Sequence, residues 1–231
     1  MNIIKIDTTT LLKNYSNYTL NNNDKYRVKD YIELIKDHNI NFKYFITISP
    51  YNFVPNNDYG RNFIIKENSF LRKTIRKFYK SDIRMWFFTE TYSDFHGKHS
   101  GGLHRHILVE DAPEARWKSL TKSMENFLLQ YIPEGLFSLK FTGELSELHK
   151  IELLKRVCRL CRQTPNGDKG LDIRKINDLE NLTGYCTKQI QSVEKSFDVV
   201  DAENSDFVNQ LNLRKNDRIQ STFSKYKEVF A

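Results

Sequence analysis

Ile83-Arg-Met-Trp-Phe-Phe-Thr-Glu-Thr91 and Leu103-His-Arg-His-Ile-Leu-Val-Glu110 are the stretches that decide how this chain folds. Both are rich in aromatic and branched aliphatic residues, and the connection between them, 92–102, is rich in His, Gly, Ser and Asp. That composition predicts two neighbouring strands of an antiparallel sheet. Side chains alternate along a strand, so His104 and His106 share one face while Leu103, Ile107 and Val109 take the other. The same alternation puts Glu90 on the face of Trp86 and Phe88.

Working outward, Phe42-Lys-Tyr-Phe-Ile-Thr-Ile-Ser49 reads as a further strand, stopped by Pro50. Strands are also expected at 136–141 and 171–176, the latter entered through a turn at 167–170. A short helix is expected over 25–37, with Tyr31, Leu34, Ile35 and His38 on one side. Residues 51–61, with a proline, a glycine and several asparagines, read as a loop. Over 69–80, Phe70, Leu71, Ile75 and Phe78 recur at helical spacing. Arg72, Lys73, Arg76, Lys77 and Lys80 are assigned to the opposite face, either solvated or set against phosphates. Pro113 opens a helix carrying Trp117, Leu120, Met124, Phe127 and Tyr131. An amphipathic helix covers 144–162. Asn177 and Glu180 resemble a capping box for a last helix running to about residue 195. The interleaving predicts an α+β fold in which helices cover an antiparallel sheet. Its expected parts are an N-terminal arm with a short helix (1–40), the main domain (41–195) and a tail, helical in part (196–231).

At 231 residues the chain has room for one such domain, and its 13% aromatic content can supply the core. A net charge of +7 points to an acidic partner, nucleic acid being the commonest. Three cysteines argue against a disulfide framework, and no apolar run suits a signal peptide or a membrane span. The cytoplasm is the expected compartment. Cys158-Arg-Leu-Cys161 falls inside a helix beside Leu154 and Leu160, so small core residues are expected there rather than zinc ligands.

Two imidazoles aimed from one rigid strand make half of a metal site. A carboxylate at the end of an aromatic strand is costly to bury unless it is paired or metal-bound, and hairpin pairing could bring Glu90 beside the histidines. Two nitrogens and one carboxylate leave positions on Mg²⁺ or Mn²⁺ for phosphate oxygens and water. The same set also serves non-haem iron oxygenases. A third element is Gly184-Tyr-Cys-Thr-Lys-Gln189, where Lys188 and Gln189 each sit one helical turn from Tyr185, so all three can face one site. A phenol is a poor nucleophile at its ordinary pKa, and an adjacent cation would favour its ionised form. Tyr26-Arg-Val-Lys29 has the same Tyr-x-x-Lys spacing, so order and context distinguish the two.

In that order, the strand ending at Ser49, Glu90, His104-x-His106 and Tyr185-x-x-Lys188 resemble the three motifs of the HUH endonucleases. Rep-type rolling-circle replication initiators with a single tyrosine are the nearest match. The resemblance spans about residues 42–195, and the polar Arg105 departs from the usual hydrophobic middle residue. It implies a ferredoxin-like (RRM-like) palm with roughly five antiparallel strands. It also implies a Mg²⁺ or Mn²⁺ ion on Glu90, His104 and His106, with Tyr185 as nucleophile and Lys188 assisting. The partner would be single-stranded DNA, a hairpin or origin sequence, nicked and rejoined through a 5′-phosphotyrosine, with a host polymerase and helicase continuing the work. Gln189 fits the Tyr-x-x-x-Gln pattern of transposases with the same core, where glutamine reaches the metal, so a single-tyrosine transposase or a relaxase stays open. Outside this chemistry stands a basic DNA-binding module without catalysis.

Overall fold

The structure is a computed structural model describing residues 22–49, 54–91, 102–112, 147–162, 170–188 and 199–211. The elements are helix α1 (Asn22–Asp37), strand β1 (Phe42–Ile48), helix α2 (Asp58–Tyr79), strands β2 (Met85–Thr91) and β3 (Leu103–Glu110), helix α3 (Glu147–Arg162), strand β4 (Leu171–Lys175) and helix α4 (Leu179–Thr187). The strands form one antiparallel sheet in the order β2-β3-β1-β4. The α+β class and the hairpin pairing thus follow the sequence, with four strands among the described residues. The expected strand at 136–141 and the helix opened by Pro113 lie outside them. Among the described residues no helix is long and apolar enough to cross a membrane.

Alternation along the strands gives the sheet two different buried faces. On the back face Tyr44, Ile46, Ile48, Met85, Phe87, Ile107, Val109 and Ile173 pack under Leu71, Ile75 and Tyr79 of α2 and Leu154, Val157 and Cys158 of α3. On the front face Phe42, Phe45, Trp86, Phe88 and Leu108 pack under Tyr31, Leu34 and Ile35 of α1 and Leu182 and Cys186 of α4. A register shift between Phe42 and Tyr44 returns Phe42 to the front face beside Phe45. Each such large apolar side chain contributes on the order of 1.5–3 kcal/mol by leaving water.

Local chemistry sets the element ends. Helix α2 begins eleven residues before the expected 69, inside the segment read as loop. Asn57 caps it, its side chain accepting from Gly60 N at 2.9 Å. A Cβ on Gly60 would lie 1.9 Å from the Pro55 carbonyl oxygen, so only glycine permits this approach. The helix ends at Lys80 in the left-handed region, φ 48°, with its N–H turned back to the carbonyls of Arg76 and Lys77. Gly170, φ 89°, makes the turn into β4. The cap of α4 is Asp178 rather than Asn177, its carboxylate accepting from Asn181 N at 2.9 Å.

Residues 199–211, read from sequence as part of a tail, dock on the outer edge of β2. Thr89 N donates to Val199 O at 2.7 Å, Asp201 N to Phe87 O at 3.0 Å and Asp206 N to Met85 O at 3.0 Å. Phe88 and Val200 form an isolated antiparallel bridge. Trp86 buries its indole on the front face and donates Nε1–H to Asp206 O at 2.7 Å. Phe207 stacks on His38 with ring centroids 3.9 Å apart.

Candidate metal centre

Strand register brings Glu90 directly opposite His104 and Thr47 directly opposite His106, all on the front face. Glu90, His104 and His106 are all buried, and their donor atoms converge. His106 Nε2 lies 2.8 Å from Glu90 Oε2, His104 Nε2 lies 3.1 Å from the same oxygen, and the two Nε2 atoms are 3.1 Å apart. Thr47 Oγ1 stands 3.1 Å from His106 Nδ1. Without a metal, His106 Nε2–H donates to Glu90 and Nδ1 accepts from the hydroxyl; a metal on Nε2 would require the other tautomer, with Nδ1–H donated to Thr47. Phe45 stacks on the His106 ring with centroids 5.1 Å apart, holding its plane.

The triangle of donor atoms fits an ion. Bonds of about 2.1 Å at right angles place neighbouring ligand atoms about 3.0 Å apart, the face of an octahedron. The three observed separations, 2.8, 3.1 and 3.1 Å, match that spacing. Three ligands on one face leave the opposite positions for water or substrate oxygens, the arrangement suited to Mg²⁺, Mn²⁺ or Fe²⁺.

Electrostatics at the site favour ligation. Burial pushes the Glu90 carboxyl up, but hydrogen bonds from His104 and His106 and the charges of His106 and Lys188 outweigh it, holding the group well below the usual carboxylate range. Burial lowers the His106 imidazole from 6.5 to about 4 against the opposing Glu90 hydrogen bond, so its nitrogen keeps its lone pair at neutral pH. Burial also pushes the neighbouring Cys186 thiol well up, leaving it an inert core group.

Helix α4 closes the site. Its Tyr185 ring meets His106 edge-on at 5.4 Å between centroids. Lys188, at the helix end, pairs with Glu90 Oε1 and holds its Nζ 3.5 Å from the Tyr185 ring centroid. Glu90, His104, His106, Tyr185 and Lys188 therefore lie in one cluster. Gln189 lies outside the described residues. Thr47 has a contact role that its sequence did not announce; a hydroxyl in the strand Phe42–Ile48 facing a histidine across the ladder was the available signal.

Arg105 points away from the cluster, as alternation along β3 requires. It is buried beneath α2, pairs with Glu67 and donates to Asn68 Oδ1 at 3.3 Å. Burial lowers its pKa and Glu67 counters the shift. Asn68 in turn donates to Asp201 Oδ2 at 2.9 Å, tying β3 to the segment docked on β2.

The basic face of α2 divides in two. Arg72 and Arg76 both reach Asp206 Oδ1, the second at 2.8 Å, and so belong to the attachment of 199–211. Lys73 and Lys77 are exposed. Phe70, assigned by spacing to the apolar side, is 55% exposed and lies on their side. Compared with protein-family models, curated proteins and solved structures, the chain matches none.

Proposed function

We propose that this chain is a metal-dependent HUH endonuclease that nicks and rejoins single-stranded DNA, as rolling-circle replication initiators do. The observation that carries the reading is the convergence of the Glu90, His104 and His106 donor atoms, with the Tyr185 ring and the Lys188 ammonium packed against them. On this reading the four-stranded sheet belongs to a ferredoxin-like palm, and a fifth strand falls in 136–141, outside the described residues.

Glu90, His104 and His106 would hold Mg²⁺ or Mn²⁺, which supplies Lewis acidity and a template for the scissile phosphate. Thr47 fixes the tautomer and plane of His106, and Lys188 fixes both the Glu90 carboxylate and the Tyr185 ring. The Tyr185 oxygen forms a bond to phosphorus while the bond from phosphorus to the 3′ oxygen breaks. The phenol loses its proton to solvent, and the released 3′ oxygen takes one up. The product is a 5′-phosphotyrosine and a free 3′-OH, and the reverse attack by a 3′-OH rejoins strands without a nucleotide cofactor. A single-tyrosine transposase or relaxase would use the same steps.

Denaturing electrophoresis of the protein with single-stranded oligonucleotides and Mn²⁺ tests the reading. A covalent adduct is expected from the wild type, none after EDTA, and none from Tyr185→Phe, which removes the phenolic oxygen and little else. An adduct of normal yield in Tyr185→Phe would refute the assignment. Binding without any adduct would leave a DNA-binding module.

A further inference from the structure

Helix α2 spans Asp58–Tyr79 and buries Ile64, Leu71, Ile75 and Tyr79 against the back of the sheet and α3. At 100° per residue, Tyr59, Phe63, Lys66, Phe70, Lys73 and Lys77 fall within an arc of about 80° on the opposite side. Three aromatic side chains there stand in solvent, Tyr59 at 76%, Phe63 at 39% and Phe70 at 55% exposure. Lys66, Lys73 and Lys77 between and beyond them are exposed, and no carboxylate lies in the arc. Glu67, the nearest acid, falls outside it and is held by Arg105.

Large apolar side chains left in water on an otherwise amphipathic helix call for a partner. The lysines on the same line decide which one. We infer that this face of α2 is a platform for single-stranded nucleic acid, the aromatic rings stacking on bases and the lysines meeting phosphates. A duplex hides its base faces, so the strand must be single. A lipid surface needs a continuous apolar stripe, and that stripe of α2 is already buried against the sheet. A protein partner would be expected to cover a patch whose centre is poor in lysine.

Placement joins the platform to the metal centre. Leu103 N donates to Val54 O at 2.8 Å and Gly102 bridges Pro55, so the first turn of α2, with Tyr59, sits where β3 begins and His104 projects. The other end of the helix reaches the start of β2, with Arg76 Nε donating to Ile83 O at 3.1 Å. The line from Tyr59 to Lys77 is about 27 Å long and runs from the ligand end of the sheet to its far end, on the face away from the metal site. The inference rests on the nicking reading for its substrate and adds a second surface for the same polymer. It would hold a strand outside the cleavage site in a sequence-tolerant way.

The test is a fluorescence titration of the full chain with unstructured oligothymidylate in EDTA, so that no cleavage intrudes. Tyr59→Ala/Phe63→Ala/Phe70→Ala should weaken binding by at least about five-fold per stacked base lost. Lys66→Gln, Lys73→Gln and Lys77→Gln should each lower the salt slope of log affinity by about 0.7. All six positions are exposed, so unchanged thermal unfolding is expected of every variant. Wild-type affinity and salt slope in the triple aromatic variant would overturn the platform. So would an unchanged titration accompanied by loss of binding to phosphatidylserine vesicles, which would indicate a lipid surface, or by loss of self-association, which would indicate a second copy. A normal adduct with an unaffected stripe sinks the platform and spares the nickase. A weakened stripe with no adduct in any metal does the reverse.

Discussion

The two faces of β3 bury unlike chemistry at successive residues. Toward the front, His104 and His106 bring ring nitrogens to within about 3 Å of one carboxylate oxygen, three donor atoms spaced as a cation would need them. Toward the back, Arg105 between them carries a fixed positive charge into an equally dry place, with its counter-ion supplied by Glu67 from α2. The fixed charge at the back is paired within the chain, with Arg105 Nη1 on Asn68 and Nη2 on Glu67. The front has Lys188 on one oxygen of Glu90 and leaves the other oxygen to the two imidazoles. A buried charge with its counter-ion in the same chain is the mark of a group that holds the fold together. Convergence of donors on a common point is what a metal site requires.

That contrast can be broken from the back first. Glu67→Ala strips the counter-ion from a guanidinium that is 3% exposed, and such a loss costs about 3 kcal/mol. The urea midpoint should fall accordingly while Mn²⁺ affinity of the folded protein stays as it was. A loss of metal affinity without loss of stability would mean the two faces are not separate in function.

The front should respond in the opposite sense. Mn²⁺ at a hundred times its dissociation constant should stabilise the wild type by about 2.7 kcal/mol, raising the thermal midpoint by roughly 5–10 °C. His106→Leu should abolish that increment and lower the metal-free midpoint far less. An equal Mn²⁺ shift in the variant, read by calorimetry, would remove His106 from the ligand set.

The smallest effect sharpens the front face alone. In metal-free protein the folded His106 imidazole titrates at about 4 against 6.5 for its ordinary value. Between those values the unfolded chain binds a proton that the folded one refuses, so stability must fall as pH falls from 6.5. Its slope from this group is at most about 1.4 kcal/mol per pH unit. Glu90, lowered from 4.5, acts in the same direction but only below that pH. Denaturant titrations from pH 6.5 to 5 should therefore show a shallower slope in His106→Leu. An identical slope would show that His106 is not held neutral by the fold.

What was legible in the sequence was what period two governs. Strand β3 occupies the expected residues, and Glu90 meets His104 because both lie on regular strands of one hairpin. What was not legible depended on partners far along the chain. Nothing near Arg105 announces Glu67, and nothing near Arg72 and Arg76 announces Asp206, 134 and 130 residues away. Basic residues on a helix therefore read alike whether they wait for phosphate or already hold an aspartate. The first turns of α2 were hidden for another reason. Pro55, Asn57 and Gly60 resemble a loop by composition, whereas here they cap the helix and let its first turn press against the Pro55 carbonyl. Asn177 and Asp178 are both good caps, and only geometry chooses the second.

The docking of 199–211 on β2 also has a consequence for biosynthesis. Phe87 and the Ser205 hydroxyl that accepts its N–H are 118 residues apart, which at ordinary elongation rates is on the order of ten seconds of translation. Throughout that interval a nascent chain would display Trp86, Phe87 and Phe88 on a strand whose outer hydrogen-bonding groups have no cover, the kind of edge that recruits other unfinished chains. Slow codons after β2 would lengthen the exposure, and a ribosome-associated chaperone would have its clearest target in those three aromatic residues.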